Sequence, residues 1–234
     1  MILHGPSLGI GAGITAIAII SVFLVVNSSS QEKELTFTQV EDLVQDSQSI
    51  GLSVFTENGS PYLGDPSAPI TLVEFGDYQC FFCNKYFHNT ESDLISNYVE
   101  TGKVKIIFKD FTIIGPDSIT AAHAAHCAND QGKFWLYHDT LYNNWAGENN
   151  GWASSENLLR FAQNIELDID EFSQCMLSEI HKPIIAASNN DARTLGLTGT
   201  PGFFVIGDNN QITKIQGAQP YEVFERIFDS KLKK

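Results

Sequence analysis

A chain of 234 residues with 43% hydrophobic content can bury one good core, or a core with an appended subdomain, without covalent staples. Its formal net charge of -14 argues against a nucleic-acid partner, because nothing in such a chain would displace counterions from a phosphate backbone. The one small basic cluster, KLKK at residues 231–234, reads as a solvated last helical turn whose cations suit the helix dipole.

From Leu8 to Val26 runs LGIGAGITAIAIISVFLVV, an uncharged apolar stretch about as long as a helix that crosses a bilayer. It predicts an N-terminal transmembrane anchor within residues 1–26. A cleaved signal peptide is the competing reading, against which stand the length of the stretch and the absence of an A-x-A-like site in VVNSSS. No Lys or Arg precedes the span and the first one after it is Lys33, so charge bias encodes orientation weakly. Residues 27–61 read as a polar linker followed by a peripheral amphipathic helix, in which Val40, Leu43, Val44 and Ile50 fall near helical spacing. The turn-rich TENGSPYLGDPSAP closes that segment, and residues 62–234 form the globular domain.

Within it, ITLVEFG has the composition of a buried strand, and the apolar positions between Cys80 and Val99 recur at helical intervals up to a stop at Thr101-Gly102. KVKIIFKDF is a second strand, so the three elements make a βαβ unit with a right-handed crossover. Residues 117–197 are almost entirely helical in pattern and predict an inserted helical subdomain. GFFVIG, a turn at DNNQ and ITKIQG then predict a hairpin, followed by a closing helix in PYEVFERIFDSKL.

The chemistry concentrates in EFGDYQCFFCNKYF, residues 74–87. A cysteine at a strand-to-helix junction meets unpaired N–H groups and the positive end of the helix dipole, which favour thiolate over thiol. Cys80 is thereby the candidate nucleophile. Cys83, about one turn inward, can attack a mixed disulfide at Cys80 and release the partner. Half a zinc site and inert packing are the alternatives. Zinc would require two more ligands, and neither Cys127 nor Cys175 has a partner in zinc-ribbon spacing, although His123 and His126 precede Cys127. Those two histidines and His138 read as surface or core residues, so no metal is expected. Far along the chain, Pro201 follows Gly199-Thr200 and precedes a strand, where it ends the preceding helix and could take a cis bond.

Together, YLGDPSAPITLVEFGDYQCFFC, AAHAAHCANDQGKFWLYHDTLY, FSQCM and GLTGTPGFFVIG resemble the DsbA family of thiol-disulfide oxidoreductases in the thioredoxin superfamily, from about Tyr62 to Phe228. The resemblance implies an α/β thioredoxin fold with a helical insert, here preceded by the transmembrane helix. It makes Cys80 the exposed nucleophile and Cys83 the buried resolving cysteine. Thr200 and a cis Pro201 would receive an extended substrate segment, and Glu74 would be the acid buried beneath the site. A carboxyl in an apolar strand has its pKa raised by desolvation and can relay the proton of a buried thiol; the alternative is that Glu74 faces solvent. Where strongly oxidising members carry a histidine between the cysteines, this chain has Phe81-Phe82. That leaves Cys80 the helix terminus and backbone donors alone, so oxidase and reductase directions both stay open. The two phenylalanines suit extended polypeptide clients, with at least one expected to pack into the core.

Cys127 and Cys175 both fall on insert helices, and an oxidising compartment would bond them; unbonded, they are small buried hydrophobes. Of the three pairings open to four cysteines, 80–83 with 127–175 is the sensible one. Asn27 and Asn58 fit a glycosylation sequon, a weak signal. The expectation is an extracytoplasmic, membrane-anchored thiol-disulfide oxidoreductase without a bound cofactor, acting on cysteines of translocated polypeptides and reoxidised by a quinone-linked membrane partner of the kind the family uses. A reductase or isomerase fed by a membrane electron donor, or a redox-inactive peptide- or metal-binding module, are the alternatives.

Overall fold

The computed structural model describes residues 51–233. The expected anchor at residues 8–26, the linker and the peripheral helix up to Ile50 lie outside the described residues. Among the described residues no helix is long and apolar enough to cross a membrane.

The first element is a one-turn helix, α1 (Ser53–Thr56), anchored by the buried Phe55. Strand β1 (Ile70–Gly76) pairs in parallel with β2 (Val104–Asp110). The helix between them, α2, spans residues 81–99, with π turns over Phe87–Glu91 and Ile95–Val99 interrupting the α geometry. It stops at Gly102, whose φ of +70° is one that glycine adopts without a Cβ clash. Five helices follow: α3 (Pro116–Asp130), α4 (Phe134–Asn143), α5 (Ser155–Asn164), α6 (Ile169–Ser178) and α7 (Lys182–Thr194). The chain returns to the sheet as the hairpin β3 (Gly202–Ile206) and β4 (Ile212–Gln216), and ends in α8 (Tyr221–Leu232).

Sheet order is β2-β1-β3-β4, with β3 antiparallel to both of its neighbours. β1 is therefore internal, and all of its residues but Thr71 are buried, as an apolar run covered on both faces requires. Glu74 is the exception in that run. It lies between Phe108 of β2 and Phe203 of β3, so its carboxyl is held in the middle of the sheet.

Three apolar clusters surround this sheet. Leu72, Tyr86, Phe203, Phe224 and Phe228 pack α2 and α8 on one face, and Val73, Phe75, Phe111, Ala192 and Phe204 fill the other. The third joins Tyr78, Cys80, Cys83 and Phe108 to the interior of the insert. α3 runs through that interior, and its Ala121, Ala122, Ala124, Ala125 and Ala128 are all buried. Small side chains on every side let the surrounding helices approach closely at little cost in side-chain entropy. α5 and α6 begin where side chains cap them, Ser154 accepting the Asn157 N–H and Asp168 the Glu171 N–H. The insert and the two cysteines thus share one packed core, so the helices position the site as well as cover it.

Candidate active site

Cys80 is the N-cap residue of α2 and Cys83 lies in its first turn. Both are unbonded thiols. Cys83 is 0% exposed. Cys80 is not the exposed residue expected: it keeps only 4% of its surface. The reason is the Thr200 backbone, whose carbonyl oxygen accepts the Cys80 S–H at 3.4 Å and covers the sulfur from β3's leading loop. The Thr200–Pro201 peptide is cis, and the Pro201 carbonyl accepts the Gly217 N–H at 2.8 Å.

The Cys80 pKa is pulled down to about 6. Hydrogen bonding from the Cys83 thiol is the largest cause; burial opposes it, while the Thr200 side chain and the N–H groups of Cys83 and Phe82 assist. The Thr200 hydroxyl is buried with no other hydrogen-bond partner, which leaves it available to that sulfur. The sequence offers Cys80 the helix terminus and backbone donors alone; the neighbouring thiol and the threonine are added by the fold. Burial drives the Cys83 pKa the opposite way, well above that of a free thiol, and the Cys80 and Glu74 charges add to the rise. The two cysteines of one motif are pushed apart in acidity, Cys80 towards the thiolate and Cys83 towards the thiol.

Phe81 and Phe82 correct the expectation that one of them packs inward: they are 50% and 54% exposed. Cys80, Cys83 and Tyr86 recur every three residues and take the buried face of α2, which turns the intervening dipeptide outward. Phe81 lies edge-on to Phe82 at 5.3 Å and tilted against Trp145 at 6.0 Å between ring centres. The result is an aromatic rim beside the sulfur.

Beneath the pair, Glu74 is buried, and desolvation, then the charges of Glu91 and Cys80, raises its pKa well above the usual carboxylate range. Glu91, on the first π turn of α2, is also buried, and burial followed by the Asp139 charge raises it to about 8. His138 Nε2 stands 4.0 Å from Glu91 Oε1, but burial lowers that imidazole to about 3. At neutral pH a carboxylic acid and a neutral imidazole face each other, so this is no ion pair. Glu91 Oε2 has no hydrogen-bond partner, and the residue lines a cleft of about 230 Å³ with His88 and Asp139. Burial thus raises the pKa of both carboxyls, Glu74 beneath the cysteine pair and Glu91 at the edge of a surface cleft.

Several residues that hold this arrangement escaped sequence reasoning. Asp77 accepts the N–H groups of Gln79, Ile113 and Ile114 at 2.8, 2.8 and 3.0 Å, and so ties the loop before Cys80 to the segment after β2. An acidic residue three positions before the N-cap of a helix was its one available signal. The buried Gln79 accepts the Asn149 N–H through its side chain and the Trp145 indole N–H through its carbonyl, both at 2.9 Å. Glu148 accepts the Phe81 N–H at 3.0 Å from a loop with no motif of its own.

Away from the site, Cys127 of α3 and Cys175 of α6 are bonded to each other across 48 residues. His126 donates to Asp110 at 2.7 Å, and the buried His138 pairs with the Tyr78 hydroxyl at 3.0 Å. Asn58 is not a free sequon side chain, since its amide donates to Asp191 at 3.1 Å.

The sequence model of the thioredoxin family matches residues 56–230. Over 202 residues the chain is 27% identical to the probable disulfide bond formation protein D of Bacillus anthracis, an alignment covering 84% of this chain and 89% of that protein. The crystal structure of oxidised BdbD from Bacillus subtilis superposes with a TM-score of 0.68 at 21% identity, over 79% of this chain and 96% of that one. That of alpha-DsbA1 from Wolbachia pipientis gives 0.66 at 25% identity, over 75% and 91%.

Proposed function

The chain belongs to the thioredoxin family as a DsbA-like thiol-disulfide oxidoreductase, and from that premise we propose that Cys80 and Cys83 introduce disulfides into cysteine-containing polypeptides outside the cytoplasm. The observation that carries this reading is the Cys80 pKa of about 6 beside a Cys83 whose pKa is raised. A stabilised thiolate favours the reduced dithiol, which makes the disulfide form the better oxidant. A substrate thiolate attacks Cys80 Sγ of the 80–83 disulfide, the S–S bond breaks, and Cys83 leaves as a thiolate that takes a proton from Glu74. A second substrate thiolate then attacks the mixed disulfide and Cys80 leaves as the stable thiolate. The substrate has lost two electrons and the pair has gained them. Thr200, held beside Cys80 by the cis peptide to Pro201, offers its backbone to an extended client, and the aromatic rim of Phe81 and Phe82 offers it apolar surface.

The same reading places the domain outside the membrane, held by residues 8–26, with a quinone-linked membrane protein removing the two electrons. Support comes from the apolar, uncharged composition of that stretch and from the chemistry, which needs an oxidising compartment.

The test mixes oxidised full-length protein with an excess of a reduced, unfolded polypeptide carrying two cysteines. Two substrate thiols should disappear for each 80–83 disulfide consumed, and none with Cys80→Ser. If the protein instead opens an oxidised polypeptide when supplied reduced, and leaves the reduced one untouched, the oxidase direction is wrong. Protease shaving of intact cells should digest the domain; full protection would overturn the location.

A further inference from the structure

Apart from the cysteine motif, the insert forms a cleft of about 610 Å³. Three helices each turn an i, i+4 pair towards it: Ile119 and His123 of α3, Ser155 and Leu159 of α5, and Phe172 and Met176 of α6. Leu177, 84% exposed, carries the apolar lining out to the surface. An apolar molecule seated here would take that side chain out of water. The volume lies within the range of about 300–1,000 Å³ of sites for small organic ligands, which are likewise mostly apolar with a few placed polar groups.

His123 supplies the placed polar group. The residue is buried, and its Nε2 has no hydrogen-bond partner. Nδ1 stands 3.7 Å from Cys127 Sγ. That sulfur belongs to the Cys127–Cys175 disulfide and carries no hydrogen, so it can only accept. Burial keeps the ring neutral, with its pKa lowered to about 4, and a neutral imidazole has a single N–H. The proton therefore sits on Nδ1, and Nε2 offers a lone pair. The two ring nitrogens point away from each other, so this lone pair is turned away from the disulfide, on the side that the cleft occupies. A buried acceptor without a donor is costly, and a ligand hydroxyl would relieve it. The charges at the edge of the cleft are already matched, since Lys182 Nζ is 2.7 Å from Glu179 Oε1. An anionic ligand would have to compete with Glu179 for that lysine.

We propose that this cleft binds a neutral, largely apolar small molecule through one hydroxyl, which donates to His123 Nε2 while the hydrocarbon part lies against Ile119, Leu159, Phe172, Met176 and Leu177. Alkylphenols and long-chain alcohols have this chemistry. Binding makes and breaks no covalent bond and leaves the Cys127–Cys175 disulfide intact. Because the site uses none of the residues of the Cys80–Cys83 centre, it stands or falls separately from the proposed catalysis.

The experiment uses the full-length chain in lipid nanodiscs, with empty nanodiscs as the blank and equilibrium dialysis to fix the free ligand concentration. Three probes are compared at neutral pH: 4-hexylphenol, its methyl ether 4-hexylanisole, which lacks the donor, and the anion 4-hexylbenzoate. One phenol should bind per chain, about tenfold more tightly than the ether, and the benzoate should bind more weakly than the phenol. His123→Phe keeps an aromatic ring and removes the acceptor, so it should bring phenol and ether to equal affinity. That position is buried, so the exposed Leu177→Asp serves as a second variant. It should weaken both neutral probes several-fold and leave the sedimentation coefficient unchanged. Absence of binding, equal affinity for phenol and ether in the native chain, a preference that survives in His123→Phe, or unchanged affinity in Leu177→Asp would each overturn the site. Tighter binding of the benzoate would make Lys182 the anchor instead, and a dimer split by Leu177→Asp would give the cleft to a second copy of the chain.

Discussion

Glu148 Oε1 accepts the backbone N–H of Phe81 at 3.0 Å, so a carboxylate shares with the Cys80 sulfur the N-terminus of α2. A negative group at that end competes with a thiolate for the same partial positive charge. Glu148→Gln keeps an acceptor for the Phe81 N–H and removes the charge. The Cys80 pKa should fall by about half a unit from its value of about 6, and the couple should become more oxidising. Thiolate absorbance titration with equilibration against a glutathione buffer reads both; a rise in pKa, or no change at low salt, would contradict the competition.

Cys83→Ser should accumulate covalent complexes with substrate polypeptides. The Cys80 thiolate still attacks an oxidised client, and the buried group that would release it is gone. Cys80→Ser should form none, because Cys83 is wholly buried and its thiol is held protonated. Non-reducing gels of the two variants decide the assignment, and trapping through Cys83 would reverse it.

Glu74→Gln should slow the Cys83-dependent half of the exchange by about 100-fold, the lower range for a lost acid–base group, and flatten its dependence on pH. Glu91→Gln should act more weakly, shifting the profile to lower pH, because the Glu91 charge is one of the causes that raise the Glu74 pKa. The Trp145 indole, bonded to the Gln79 carbonyl and packed on Phe81, provides a fluorescence signal for stopped-flow measurement. Equal loss at every pH in Glu74→Gln would leave it a packing residue.

The reduced protein should gain stability over the oxidised one between about pH 6 and 9. The Cys80 pKa is depressed from 9.0 to about 6 by folding, so its contribution is complete above the unfolded value and is lost as pH falls through the folded one. Cys83 works in the opposite sense: with its folded pKa raised, its contribution is lost as pH climbs above 9.0. Paired thermal melts cancel groups that titrate alike in both forms. A difference that stays constant from pH 5 to 9 would refute the depressed thiol.

Much of this molecule is legible along the chain because the governing physics is local. A hydrophobic period of two or of about three and a half marks strands and helices whatever they pack against, so β1, α2, β2, the five insert helices and the β3–β4 hairpin all appear in sequence order. The C-x-x-C spacing likewise carries its own chemistry, since residues three apart share one face of a helix turn. What could not be read lies in contacts between distant segments. The Thr200 carbonyl is 120 positions from the Cys80 sulfur that it covers, and Glu148 is 67 from the N–H that it accepts. Whether Phe81 and Phe82 point in or out depended on which face of α2 the sheet and insert claimed. The Cys127–Cys175 pairing was legible, because the C-x-x-C proximity left those two to each other, but the packing of α3 on α6 that brings them together is set by shape complementarity between helices. Periodicity reports which side of each element is apolar, but which apolar sides meet is settled when all of them compete to leave water at once.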